Sequence, residues 1–270
     1  MPELPEVEIA ARNLRRWMRG KTIARVVVRT SRVIRGGTPG SITAALEGRV
    51  VKSVDRRGKW LRLVLDDGTR VFSHFGMSGR FVRRGIDDET ERSERARFDL
   101  AKVPPKQASI RYVDPRMFGR LVVAGDDLEA WTSLGPDPLV DGIDVERLAA
   151  LLVKKKRSIK ETLMDQAVLA GVGNIQATEA LWHARVDPRT RSSALTRAQV
   201  RAIAKGIDRS IADTLAHETG PEITYVEDAG APNPFIVYGR GGDPCPRCKT
   251  ALTRLVLGGR GTVYCGKCQR

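Results

Sequence analysis

Cys245-Pro246-Arg247-Cys248 and Cys265-Gly266-Lys267-Cys268 contain every cysteine of the 270-residue chain. Their spacing, C-x2-C-x16-C-x2-C, is that of a zinc ribbon, in which two knuckles offer two thiolates each across a hairpin. Two disulfides are the alternative, and a reducing compartment disfavours them. Four thiolates fill the coordination sphere of one Zn2+, so the metal is structural and leaves no position for water or substrate. The ribbon strands are predicted over Thr253 to Leu257 and Thr262 to Tyr264, joined by Gly258-Gly259-Arg260-Gly261 as a flexible tip. From Phe235 to Arg270 seven basic residues face Asp243 alone, a net +6, which suits a finger that grips backbone phosphate through Arg260.

The charge bias extends to the whole chain. Lys plus Arg outnumber Asp plus Glu by 47 to 32, a net +15 with a pI near 10.2, which points to a polyanionic partner, nucleic acid ahead of an acidic membrane surface. With 41% hydrophobic and 29% charged residues the chain is globular, and its length accommodates two domains with cores of their own. No apolar run approaches the roughly 18 residues of a membrane span, and the N terminus lacks the apolar core expected of a signal peptide. A cytoplasmic location is expected.

Working back from the ribbon, helical periodicity covers Asp144 to Leu163 with Asp144 as N-cap, then Ile175 to His183, then Leu195 to Leu215, where Val200, Ile203, Ala204, Ile207 and Ile211 share one face. An irregular stretch runs from Pro221 to Pro234. Upstream of a Gly/Pro-rich linker the pattern becomes nine short strands between Thr22 and Ala124, with Asp67-Gly68 as a hairpin signal and a helix at Pro39 to Leu46 capped by Thr38. Such strands predict a β-sandwich or barrel. A helix from Pro5 to Met18 precedes them, with Val7, Ala10, Ala11, Leu14, Trp17 and Met18 on one side and Gly20 as its stop. The predicted class is therefore α+β multidomain: an N-terminal helix plus β-sandwich (1–131), a linker (132–143), a helical domain (144–234) and a zinc finger (235–270).

Chemistry concentrates at the chain start, Met1-Pro2-Glu3-Leu4-Pro5-Glu6-Val7-Glu8. Once Met1 is removed, Pro2 presents a secondary amine between the carboxylates of Glu3 and Glu6. An α-amino group titrates near pH ~8 against ~10.4 for lysine, so more of it is free to attack a carbonyl-like carbon. A secondary amine then yields an iminium, which is an electron sink. A short leader with Pro5 opening a helix is the plainer alternative. Two further stretches admit two readings each. Arg56-Arg57-Gly58-Lys59-Trp60 is a turn whose lysine meets phosphate or has a depressed pKa, or else a solvated basic turn. Ala170-Gly171-Val172-Gly173-Asn174-Ile175 is a helix start that offers N–H groups and the Asn174 amide to phosphate, or else a plain connection.

Taken together, the start through Glu8, Arg57-Gly58-Lys59, His74-Phe75-Gly76-Met77-Ser78-Gly79, Asp114-Pro115-Arg116, Phe118-Gly119, Gly171-Val172-Gly173-Asn174-Ile175 and the four-cysteine ribbon with Arg260 and Gln269 resemble the formamidopyrimidine-DNA glycosylase family, which includes endonuclease VIII. The resemblance covers essentially the whole chain in order. It implies that the helical domain is a helix-two-turn-helix domain and that DNA lies between the domains. The enzyme it implies is a monomeric, bacterial, nucleoid-associated, bifunctional DNA glycosylase and abasic-site lyase of base-excision repair. Its substrate would be double-stranded DNA with damaged bases or abasic sites.

Residue by residue, the resemblance makes Pro2 the nucleophile at the sugar C1′, Glu3 the acid and base beside it, Glu6 a supporting carboxylate and Lys59 a proton donor. Asn174 and Arg260 would clamp phosphates, with Lys160 also near the DNA, and Arg260 counts with the catalytic set. Because the target must leave the stack, Met77, Arg116 and Phe118 would fill the void; from the residues alone, the core reading is the better one for Met77 and Phe118. Where relatives carry a glycine-rich loop over the extruded base, this chain has Glu227-Asp228-Ala229-Gly230-Ala231-Pro232-Asn233-Pro234-Phe235, and Met117 replaces a basic residue. Oxidised purines such as 8-oxoguanine and formamidopyrimidines are the expected lesions. Oxidised pyrimidines, and a non-catalytic damaged-DNA binder, are the alternatives.

Overall fold

In the computed structural model, residues 2–29, 32–217, 220 and 222–270 are described; Met1, whose removal the Pro2 chemistry requires, and Pro221 of the irregular stretch lie outside them. The chain divides into two compact units, one of Met1–Pro2, Glu6–Thr132 and Gly220–Ala229, the other of Glu3–Pro5, Ser133–Thr219 and Gly230–Arg270. The ribbon groups with the helices, and 220–229 return to the first unit.

The first unit contains most of α1 (Leu4–Met18), whose predicted face is buried throughout. Pro5 sits in its first turn, where a missing N–H costs nothing. Two antiparallel-dominated sheets follow. One has four strands in the order β1 (Ile23–Val28), β7 (Glu94–Leu100), β8 (Ser109–Val113), β6 (Arg80–Arg84); the other has five, β2 (Ile34–Arg35), β9 (Arg120–Ala124), β5 (Arg70–His74), β4 (Trp60–Leu65), β3 (Val51–Arg57). Among the described residues only the two-residue β2 pairs in parallel, with β9. The helix α2 (Pro39–Leu46) has the predicted cap, with Thr38 accepting from the Ser41 N–H at 3.2 Å, and α3 (Glu129–Thr132) closes the unit. Phe72, Phe75, Phe81, Phe98 and Tyr112 fill the apolar interior.

Connectivity matters more to function than strand count. β5 and β6 belong to different sheets, as do β8 and β9, so residues 75–79 and 114–119 are both crossovers. Register brings them together: His74 pairs with Arg120, and Arg80 with Val113. Trp60 also pairs with His74, which puts the Gly58-Lys59 hairpin turn beside the first crossover.

In the second unit, the helix expected over Asp144 to Leu163 is broken into α4 (Val145–Val153) and α5 (Ile159–Leu163). Ser158 forms a capping box with Glu161 and so starts a new helix after the basic run Lys154 to Arg157. α6 (Asn174–Ala184) and α7 (Arg197–His217) follow; Thr196, accepting from the Gln199 N–H at 3.2 Å, starts α7 two residues later than periodicity suggests. Leu148, Leu163, Leu181, Ile203 and Ile207 are among the buried residues of this helical core.

The ribbon strands are β10 (Thr253–Leu257) and β11 (Arg260–Tyr264), paired from Thr253–Tyr264 to Leu257–Arg260. The ribbon packs on α6 through Trp182, Val237, Leu252 and Val263. Two polar ties reinforce this. The Arg247 guanidinium lies 3.6 Å from the Trp182 ring centroid, and the buried Glu179 carboxylate accepts from the N–H groups of Ile236, Val237 and Tyr238 at 2.8 to 2.9 Å.

Candidate functional site

Glu3 is the anchor of the N-terminal chemistry. Its carboxylate is buried and accepts backbone N–H groups from Gly173 at 3.1 Å, Ile175 at 2.9 Å and Gln176 at 3.0 Å, the start of α6. The positive end of a helix favours an anion at this place. Of the two readings the sequence left open for this turn, one had its N–H groups meet phosphate; here the anion that the Gly173, Ile175 and Gln176 N–H groups hold is the chain's own Glu3. The Leu4 N–H bonds to the Gly171 carbonyl at 3.1 Å. Gly171 has φ +88°, and a Cβ there would stand 2.7 Å from Leu4 Cβ, so only glycine fits both the backbone and the approach.

Pro2 is buried immediately before Glu3, and Glu6 is buried one helical turn on. Within the basic turn the roles separate. Arg56 is buried, with its Nε 2.8 Å from Glu8 and Nη1 donating to the Gly58 carbonyl at 3.1 Å, so it braces the hairpin. Lys59, half-buried, stands at the hairpin tip. Burial raises the Glu8 carboxyl, but Arg56, Arg12 and Arg15 more than offset this and hold it below the ordinary carboxylate value. Next to the turn, His74 is pushed down to about 4 by burial and by the charges of Lys59 and Arg120. Its ring lies 5.0 Å from that of Trp60, and its Nδ1 accepts the Gly76 N–H at 3.1 Å.

The two crossovers are locked to each other by one buried carboxylate. Asp114 accepts from Ser78 Oγ at 2.7 Å and from the Gly119 N–H at 2.8 Å, while Ser78 Oγ accepts the Arg116 N–H at 3.3 Å. On this frame Phe118 is 56% exposed, which excludes the core reading for it. Met77 is half-buried. The Arg116 guanidinium sits 5.2 Å from the Phe118 ring centroid. The loop thus presents an exposed aromatic face with an arginine over it.

In the second unit, Asn174 opens α6, and its buried Oδ1 has no partner among the described residues. It lines an open cleft of about 460 Å3 with Tyr238, Arg254, Gly261 and Val263. Arg254 and Tyr238 were not singled out from sequence; neither belongs to a motif, and only the fold brings them to Asn174. Arg260 is exposed, but it is not on a flexible tip as expected. The turn is Gly258-Gly259, both with positive φ, and Arg260 is the first residue of β11, paired with Leu257. Such a two-residue turn matches strand twist and fixes register.

Lys160, expected near DNA, is completely buried. Its Nζ donates to Thr262 Oγ1 at 2.7 Å and Gly261 O at 3.4 Å, so it holds the strand that carries Arg260 and presents no surface charge. Burial lowers it to about 8, against the opposing pull of Glu3.

The four cysteine Sγ atoms lie within 4.8 Å of one another, and none forms a disulfide. Cys248 and Cys265 Sγ are 3.5 Å apart, far beyond a ~2.05 Å disulfide bond and close to the edge of a tetrahedron with ~2.3 Å zinc–sulfur bonds. The residues fit one zinc ion, and no helix among the described residues is long and apolar enough to cross a membrane.

Comparison with known proteins agrees with this geometry. The chain matches the family models for the formamidopyrimidine-DNA glycosylase N-terminal domain over residues 1–121, the formamidopyrimidine-DNA glycosylase H2TH domain over 134–224, and a zinc finger found in FPG and IleRS over 242–270. It is 39% identical over 278 aligned positions to a formamidopyrimidine-DNA glycosylase of Pseudomonas putida (strain GB-1), with both chains fully covered. The MutM (Fpg) protein of Thermus thermophilus superposes with a TM-score of 0.83 at 34% identity, covering 99% of this chain and 98% of that one. The Lactococcus lactis enzyme bound to DNA containing an abasic site gives 0.86 at 26% identity, with 99% of each chain covered. Residues, fold and relatives concur: the chain belongs to the formamidopyrimidine-DNA glycosylase family.

Proposed function

We propose that Pro2, freed of Met1, is the nucleophile through which this bifunctional DNA glycosylase and abasic-site lyase excises oxidised purines such as 8-oxoguanine and formamidopyrimidines from double-stranded DNA. One observation carries the reading. Glu3, next in sequence to Pro2, has its carboxylate fixed by three backbone donors at the start of α6, which gives an acid and base defined in position beside a terminal amine.

The Pro2 nitrogen lone pair bonds to the sugar C1′ while the glycosidic electrons leave with the damaged base, which takes up a proton. Opening of the sugar gives an iminium at C1′. Loss of the C2′ proton sends electrons into that iminium and then expels the 3′ phosphate; loss of the C4′ proton next expels the 5′ phosphate. Water finally releases Pro2. Glu3 shuttles these protons, Glu6 supports the site, and Lys59 donates near sugar and phosphate. Asn174 and Arg260 hold phosphates flanking the lesion, Arg260 with Lys160 behind its strand. Met77 and Phe118 replace lost stacking, and Arg116 meets the orphaned base.

Cys245, Cys248, Cys265 and Cys268 would hold the zinc ion, which when bound supplies a structural cross-link and no reactive position. In this scheme residues 1–131 carry the sugar chemistry, 144–234 the helix-two-turn-helix contacts and 235–270 the finger, joined by the linker 132–143, and the enzyme works as a monomer on the cytoplasmic nucleoid.

Borohydride reduction during incubation with abasic-site DNA tests the chemistry. A covalent protein–DNA adduct is expected, and its absence from protein whose mass shows Met1 removed would sink the proposal. Excision from duplexes carrying 8-oxoguanine, a formamidopyrimidine or an oxidised thymine ranks the lesions.

A further inference from the structure

Residues 222–228 return to the first unit after an excursion through the second, and they are fastened to β6 and the first crossover by a dense polar cluster. Asp228 makes a bidentate pair with Arg80, Oδ2 to Nη1 and Oδ1 to Nη2 both at 2.8 Å. Asp228 Oδ2 also accepts the Tyr225 N–H at 3.0 Å, and Arg80 Nη1 donates to the Ile223 carbonyl at 3.2 Å. The Arg80 guanidinium covers the Tyr225 ring at 4.7 Å. Glu222 pairs with Arg84 at the far end of β6. Finally, the buried Tyr225 hydroxyl donates to the Gly79 carbonyl at 2.6 Å.

Gly79 is enclosed on its other side as well. A Cβ there would lie 2.4 Å from Tyr112 Oη and 2.7 Å from the Phe75 carbonyl, so the crossover cannot back away from Tyr225. Met77, two residues before Gly79, is followed directly by two tethered residues, Ser78 bonded to Asp114 and Gly79 bonded to Tyr225.

Electrostatics agree with a permanent fixture. Burial would raise the Asp228 carboxyl, but Arg80 and the Tyr225 N–H hold it below the ordinary value. Burial also keeps the Tyr225 phenol protonated, with Glu6 among the charges that push it further up. A bidentate arginine–carboxylate pair stacked on an aromatic ring is among the stiffest polar arrangements available to side chains.

We propose that Tyr225, Asp228 and Arg80 form a positioning cluster that fixes the Met77 crossover and thereby governs how readily the enzyme opens a stacked duplex at a damaged base. It takes no part in bond breaking at Pro2. The inference rests on the reading of Met77 as a void-filling wedge. The cluster joins residues 148 apart in sequence, and it ties the returning 222–228 stretch to the loop that must enter DNA.

The test compares two substrates in single-turnover assays: a duplex carrying 8-oxoguanine, where a base must be unstacked, and a single-stranded oligonucleotide with a preformed abasic site, where nothing must be. Tyr225→Phe removes one hydroxyl and Asp228→Asn removes the charge with little change in shape. Each is expected to slow the duplex reaction about tenfold or more, the effect of one buried bond lost with its acceptor left unpaired. Single-strand cleavage should stay within about twofold of the parent by the same scale. A 2-aminopurine placed next to the lesion should report less unstacking in both variants. Unchanged duplex rates in both variants overturn the proposal, and so does an equal loss on both substrates, which would mean a structural role only. The parent protein's borohydride adduct keeps this outcome separate from any failure of the Pro2 chemistry.

Discussion

Acidification from about pH 7.5 to about pH 4.5 should remove roughly 2.5 kcal/mol of stability through His74 alone. Burial beside Lys59 and Arg120 lowers this imidazole to about 4, whereas in the unfolded chain it titrates near ~6.5. The folded state therefore prefers the neutral ring. Its contribution is complete above the unfolded value and is lost as pH falls from about 6.5 toward about 4, where the unfolded chain binds the extra proton. At about 1.4 kcal/mol per unit, the full span is about 3 kcal/mol, most of it gone by about pH 4.5. The bond at stake is local and functional: Nδ1 accepts the Gly76 N–H at 3.1 Å, so protonation there releases the start of the Met77 crossover. Urea unfolding of the parent and of His74→Asn, which keeps an acceptor without titrating, measures the effect. The stability difference between the two should change by about 2.5 kcal/mol across this range. Parallel curves would refute the argument, since the other acid-sensitive groups are common to both proteins.

Glu8→Gln removes the carboxylate that pairs with the buried Arg56 guanidinium at 2.8 Å. It should cost about 3 kcal/mol at neutral pH, and because the Glu8 carboxyl is held low in the fold, the loss relative to the parent should shrink as pH falls below about 4.5; denaturation at two pH values checks this. Gly171→Ala meets both a left-handed backbone and Leu4 Cβ at 2.7 Å, so a loss of about 2 kcal/mol or more is expected, together with a lower borohydride-trapping yield, because Leu4 follows Glu3. Cys248→Ser opens the four-thiolate site. Zinc per chain and DNA affinity should fall together, by about tenfold or more in metal affinity, as read by metal analysis and a binding titration.

The parts of the site that announced themselves were those whose chemistry is written in neighbouring residues. The cysteine spacing, the α1 periodicity and the Thr38 and Asp144 caps involve at most a few turns of chain, and local geometry decides them. Lys160 and the Gly171–Ile175 turn read differently in the fold because their partners are remote. A lysine in a basic chain looks like a surface charge until Thr262 and Gly261 enclose it, and free N–H groups at a helix start look like a phosphate site until Glu3 arrives from the terminus. Arg56, in a turn that sequence reads only as basic, is likewise defined by a remote partner, Glu8.

By itself the sequence determined the reagents: a proline amine beside two carboxylates, four thiolates at ribbon spacing, and an excess of 15 positive charges. These are properties of composition and short-range order, and they survive in any conformation. What only the tertiary structure decided is which reagents are held and by what. Strand register made neighbours of two crossovers some forty residues apart, and the start of α6 took Glu3 as its anion. Asp228 was brought back to Arg80. Each of these contacts gains its strength from exclusion of water, which no local pattern encodes.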